Sequence, residues 1–77
     1  MNYKDWTFGQ ALAALKMGNM VARKGWNGKG MWIKLQNPTK KSKMNLPYIY
    51  MSTAQGDFVP WLASQTDILA NDWEMLG

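Results

Sequence analysis

The chain contains no cysteine and no histidine. The first absence removes disulfides, a thiolate nucleophile and any Cys-ligated zinc. The second removes the commonest general base and the commonest transition-metal ligand. Carboxylates are scarce too. Asp5, Asp57, Asp67, Asp72 and Glu74 are the whole set, against 9 lysines and arginines, and they leave little for an oxygen-ligated metal cage. No run approaches the roughly 18 apolar residues of a membrane span, and no signal peptide is legible after Met1. The expectation is a soluble, cytoplasmic protein without membrane attachment. At 77 residues it has room for one domain, 1–77. A chain of this size buries only about 60% of the surface that its unfolded form exposes. With disulfides and metals set aside, self-association is the support that remains.

What is present is aromatic, sulfur-rich and basic: five tryptophans, seven methionines and a formal net charge of +4. Each indole carries up to about 250 Å² of surface, so one small core cannot easily hide all five. Some are expected to line a pocket or a subunit interface. An apolar fraction of 47% with 18% charged residues is the composition of a globular chain, which argues against disorder.

Local signals predict an α+β protein. Thr7 and Gln10 stand in capping-box spacing, Phe8, Ala11, Leu12 and Leu15 make one apolar stripe, and Gly18 sits where a helix stop belongs. These predict a helix over 8–17. Met20–Lys24 and Met31–Leu35 read as a hairpin around Asn27-Gly28, the preferred pair for a two-residue type I′ turn. That turn would pair Arg23 with Trp32 and place Val21, Arg23, Trp32 and Lys34 on one face; a longer loop or a bulge at Gly25 or Gly30 would change the register. Residues 37–45 form a basic loop with Lys40, Lys41 and Lys43. An alternating strand from Leu46 to Met51 is followed by a turn at Gln55-Gly56-Asp57 and a return strand that Pro60 interrupts. Ser64 and Asp67 have capping-box-like spacing ahead of a short helix, and Asp72–Leu76 reads as a final strand. The sum is a small antiparallel sheet of about five strands, packed by one N-terminal helix, with a short helical segment before the last strand.

Neither phosphate-binding motif survives inspection. Gly25, Gly28 and Gly30 run in the reverse order of a dinucleotide fingerprint, and Met31-Trp32 follows where a P-loop needs Lys and Ser or Thr. These glycines either build a tight hairpin or let a ligand approach backbone N–H groups, with Arg23, Lys24 or Lys29 near its phosphate. Trp32 and Trp73 lie in strand-like runs and point to burial in a core or interface, while Trp6 precedes the helix and can staple it. Trp26, in a turn, and Trp61, after Pro60, are the better candidates for exposed ring faces on which a base could stack. Ser64-Gln65-Thr66-Asp67 concentrates hydrogen-bonding groups beside Trp61. Its bland alternative is a helix cap, and both readings can hold together.

Phe8-Gly-Gln-Ala-Leu12, Val21-Ala-Arg-Lys-Gly-Trp-Asn-Gly-Lys-Gly-Met31, Val59-Pro-Trp-Leu-Ala-Ser-Gln-Thr-Asp67 and Asp72-Trp-Glu74 together resemble a small phage protein family, the second Thoeris anti-defence family. The resemblance covers nearly the whole chain except the loop at 37–45. It implies a homotetramer that binds glycocyclic ADP-ribose, an immune second messenger, and holds it intact in the cytoplasm of the infected bacterial host. It also implies that some members take cyclic dinucleotides at a separate site. The chemistry of the matching blocks then assigns Trp26 and Trp61 to base stacking, and Arg23 and Lys29 to phosphate. Asn27, Gln65, Thr66 and Asp67 take the sugar or base hydrogen bonds. No cofactor or metal is called for, and no catalytic residue.

Two other readings compete. Net positive charge and interleaved Trp and Lys also suit a small single-stranded nucleic-acid-binding protein, whose binding would weaken steeply with salt. A hydrolase of a cyclic nucleotide would use Asp67 or Asp72 as base together with a metal, although phosphodiester cleavage usually recruits several ligands.

Overall fold

The computed structural model describes residues 2–76. Its first helix, α1 (Phe8–Lys16), begins where the sequence places it. The Thr7 hydroxyl accepts from the Gln10 N–H, and the Gln10 side chain accepts from the Thr7 N–H at 2.9 Å. The helix stops at Gly18, whose φ of 90° admits the left-handed turn. There Gly18 and Asn19 donate back to the carbonyls of Leu15 and Ala14, both at 3.0 Å, a Schellman closure.

Five strands follow: β1 (Met20–Arg23), β2 (Trp32–Gln36), β3 (Tyr48–Ser52), β4 (Phe58–Pro60) and β5 (Trp73–Leu76), with α2 (Gln65–Leu69) between the last two. They form one antiparallel sheet in the order β4-β3-β2-β1-β5. The expected architecture, with a helix on one face and a short helix before the last strand, is what the structure has. β5 thus reaches across to pair with β1, and residues Tyr3–Trp6 strap its outer edge. Met75 N–H donates to the Tyr3 carbonyl at 2.8 Å, and Trp6 and Trp73 exchange backbone hydrogen bonds. Trp6 packs half-buried against the core just before the helix it was expected to staple.

The hairpin register differs from the expected one by a single residue. Val21 lies opposite Ile33, so these two share the inner face with Met51, and Trp32 and Lys34 turn outward. Neither Asn27 nor Gly28 has a positive φ; the left-handed position is Gly30, at 77°. A loop over 24–31 replaces the two-residue turn and frees the strands to slip. The buried face decides the outcome: Val21 and Ile33 are both fully buried. β3 starts at Tyr48 rather than Leu46, and the loop before it is exposed except for half-buried Pro38.

The core lies between α1 and the inner face. Ala11, Ala14 and Leu15 of α1 meet Val21, Ile33, Met51 and Trp73. The two alanines let the helix approach closely, and Trp73, with no exposed surface, is the largest fully buried side chain of the core. Among the described residues, no helix is long and apolar enough to cross a membrane.

Candidate functional site

The two sequence blocks singled out above, 23–31 and 59–67, fold against each other at one end of the core. Arg23 closes β1 on the inner face, and the chain then turns sharply, Trp26 N–H donating to the Arg23 carbonyl at 3.2 Å. This turn folds the Trp26 indole back over the core. Its ring centroid lies 5.4 Å from that of Trp73 and 6.4 Å from that of Trp61, both edge-on. Trp61 in turn lies 6.0 Å from Trp73 and 6.3 Å from Phe8. Edge-to-face packing of this kind adds roughly 0.5–1.5 kcal/mol per pair beyond area burial.

Asp67 is the polar hub of this cluster. Its position in α2 is set by the capping box, in which Ser64 N–H and Oγ donate to Oδ2 at 3.2 and 2.9 Å. The other oxygen, Oδ1, accepts from the Arg23 guanidinium at 2.9 Å and from the Trp26 indole N–H at 3.3 Å. The Asp67 carbonyl accepts the Trp73 indole N–H at 2.9 Å. One residue therefore holds the arginine, two of the indoles and the start of a helix.

Asp72 completes the arrangement. Its Oδ1 accepts from Arg23 Nε at 2.8 Å, and its Oδ2 accepts from the Gly25 N–H at 2.9 Å. The approach at Gly25 is so close that a Cβ there would lie 2.7 Å from Asp72 Oδ2. That is the physical reason for this glycine. Burial works against the charge on Asp67, but Arg23, both Ser64 donors and Trp26 outweigh it and hold the carboxyl below its ordinary range. Asp72 is lowered chiefly by its hydrogen bond to Arg23, against burial and with help from Gly25. Arg23 is held above its ordinary value by Asp72 and then Asp67.

The arrangement sorts the expected site residues into three groups. Arg23, Trp26, Trp61 and Asp67 are brought together. Lys29 joins Arg23 and Trp26 along a shallow cleft of about 350 Å³, between the 24–31 loop and the strand bearing Glu74. Asn27 on that loop and Gln65 and Thr66 on the first turn of α2 are exposed. Arg23 is committed to two carboxylates, so Arg23, Asp67 and Asp72 together carry a net charge of −1. The cations facing the cleft outside any ion pair among the described residues are Lys24 and Lys29. Sequence reasoning did not anticipate Gly25 as a point of close approach or Asp72 as the second anchor of Arg23. The signal for Asp72 was present in the Asp72-Trp73 pair, but its partner lies 49 positions away.

Comparison with known proteins identifies the family. Residues 6–76 match the family described as the Thoeris anti-defense 2-like domain. Thoeris anti-defense 2 of Bacillus phage SP01 is 36% identical over 83 residues, covering 91% of this chain and 93% of that protein. The matched span contains both blocks of the cluster and the Asp72-Trp73 pair. This chain therefore belongs to the Thoeris anti-defense 2 family, and its role is phage anti-defence.

Proposed function

We propose that the protein binds a cyclic ADP-ribose-type immune messenger, glycocyclic ADP-ribose, and sequesters it uncleaved. It does so as a homo-oligomer, a tetramer by family resemblance, in the cytoplasm of the infected host. The Thoeris effector is then deprived of its signal. One observation carries the reading: two distant segments converge so that Trp26 and Trp61 meet edge-on, half-buried, beside polar groups already oriented by Asp67. Pre-oriented aromatic and hydrogen-bonding groups suit tight holding, because little remains to be ordered when the ligand arrives. In this reading an adenine meets the indoles, Lys29 with Lys24 attracts the pyrophosphate, and Asn27, Gln65 and Thr66 serve ribose hydroxyls. Arg23 reaches phosphate through the guanidinium edge left over from its two carboxylates. Both aspartates that a hydrolase would use as base are engaged by Arg23, which favours holding over cleavage.

Isothermal titration against both cyclic ADP-ribose isomers and a set of cyclic dinucleotides tests the proposal. The expected result is saturable binding of the ADP-ribose type, with the compound recovered at unchanged mass after the protein is heated. Recovery of a hydrolysed product, or binding to none of the panel, overturns it. Steeply salt-dependent binding to a single-stranded oligonucleotide in place of the cyclic compounds would favour the nucleic-acid reading.

A further inference from the structure

The helices cover one face of the sheet, and Trp32, Tyr50 and Phe58 pack on one another on the bare one. The two ends of the sheet differ as sharply as its faces. One end carries the 24–31 loop and the 53–57 turn, beside the Arg23–Asp72 contact. At the other, the turn from α1 into β1 lies next to the 37–47 loop that joins β2 to β3, since Val21 pairs with Ile33 and Gln36 with Tyr48. No carboxylate occurs between Asp5 and Asp57. Both segments at this second end fall within that gap, and they bring Lys16, Lys40, Lys41 and Lys43 to it, all exposed. Among the described residues the carboxylates are placed elsewhere: Asp57 in the far turn, Asp67 and Asp72 on Arg23, Glu74 inside β5 and Asp5 in the Tyr3–Trp6 strap. None of these lysines enters an ion pair among the described residues.

Exposed apolar side chains gather at the same end. Met17 is 81% exposed, Leu46 72% and Met44 59%. The loop is ordered by its own polar groups. Thr39 N–H donates to Ser42 Oγ at 2.8 Å and Ser42 N–H to the Thr39 carbonyl at 3.0 Å, closing a turn with Lys40 and Lys41 at its tip. Thr39 Oγ1 also accepts from the Lys41 N–H at 3.3 Å. With Thr39 and Ser42 occupied by each other, the groups left for a partner are ammonium ions and apolar chains.

We propose that this end docks on an anionic lipid surface, its lysines against the headgroups and Leu46, Met44 and Met17 entering the edge of the acyl layer. The two kinds of group together select the partner. Lysines close to an anionic bilayer gain from its surface potential, and apolar side chains gain from burial just beneath. Recognition of such headgroups by basic clusters starts at about four lysines. A single strand of nucleic acid would use the lysines but needs open ring faces between them, and Met44 and Leu46 have no role against phosphates. The contact is peripheral, since no described helix is long and apolar enough to cross a membrane. Lys24 and Lys29 lie beyond the opposite end of β2, so docking leaves them facing solution. The inference goes beyond messenger binding and does not depend on it.

Co-flotation of the full chain with vesicles tests the proposal. Vesicles of phosphatidylglycerol and phosphatidylethanolamine should retain it, and vesicles of phosphatidylcholine alone should not. Retention should fall steeply as salt screens the lysines, a readout that needs no variant. Lys40→Glu with Lys41→Glu reverses two exposed charges and should weaken retention roughly tenfold or more. Leu46→Ser should weaken it several-fold, including at high salt, where the lysines contribute least. Messenger titration of both variants should match the wild type, which shows that they are folded. No retention by anionic vesicles overturns the inference, as does equal retention by neutral ones or indifference to the lysine pair. If an oligonucleotide binds more tightly than the vesicles and Leu46→Ser changes nothing, the end is a nucleic-acid contact instead. Vesicle retention without messenger binding, or the reverse, separates this inference from the function proposed above.

Discussion

The two aromatic clusters of this protein differ in what fixes them. Phe8, Trp26, Trp61 and Trp73 lie on the helix side, and two of their indole N–H groups end on Asp67. Trp32, Tyr50 and Phe58 lie on the bare side, where no side-chain hydrogen bond among the described residues ties their rings. The first cluster is held by directional polar bonds and has one arrangement. The second is held by packing alone. Four of the five tryptophans thus fall into two kinds of packing, three on the helix side and one on the bare side, and each kind responds to a different perturbation.

The largest contrast comes from truncating one ring on each side. Trp73→Ala removes the largest fully buried side chain and should cost about 3–5 kcal/mol, enough to unfold a chain this small in a urea titration. Phe58→Ala, measured at a dilution that keeps copies apart, should change stability by no more than about 0.5 kcal/mol. Equal losses would erase the distinction.

Next in size is the ion cluster. Arg23→Gln leaves Asp67 and Asp72 without their shared cation, and the Arg23–Asp67 side chains are only 15% and 13% exposed. The expected loss is about 1–3 kcal/mol, below that of a fully buried pair because water still reaches Asp72. Tryptophan emission should shift to the red as Trp26 loosens, while protection of Trp32 from hydroxyl-radical labelling stays unchanged.

Acid should act on the same cluster more gradually. Asp67 and Asp72 sit below their ordinary range in the folded protein, so their contribution is fully present above the unfolded carboxylate value of about 3.9. It is lost as pH falls from there through the lower folded values, because the unfolded chain then binds more protons. Arg23 stays charged throughout. Denaturation midpoints between neutral pH and acid should fall in the wild type and fall less in Arg23→Gln. A parallel fall in both would detach the acid response from this cluster.

Within the cluster, the smallest effect expected is that of Gly25→Ala. The added Cβ would crowd Asp72 Oδ2, and a shift of that carboxylate should cost about 1 kcal/mol and weaken messenger binding several-fold in the titration. If stability and binding are both unchanged, Asp72 has room that the structure does not show.

Much of the architecture was legible because its signals are local. Thr7 with Gln10 and Ser64 with Asp67 declare two helix starts within four residues each, and both capping boxes form. The site was half legible. Trp26 and Trp61 stood out as indoles beside turn residues, and they do meet, but half-buried against Trp73 rather than as open faces. Arg23 looked like a phosphate ligand because nothing nearby in sequence claims it; its partners are 44 and 49 positions away. The hairpin register stayed open between a two-residue turn and a longer loop for the same reason. Asn27-Gly28 is a strong local turn signal, yet Trp26 is drawn back to Asp67 and Trp73, and the loop lengthens to allow it.

The strap that joins Tyr3–Trp6 to β5 ties together two segments far apart along the chain. Contacts so far apart form slowly, since the intervening loop must close before any of them can contribute. Trp73, around which Phe8, Trp26 and Trp61 gather, depends on that closure. Until β5 pairs, β1 has an open edge and Asp67 lacks the Arg23–Asp72 clasp beside it. The clasp is thus completed only by long-range closure, and in refolding the environment of Trp26 should become native no sooner than β5 does.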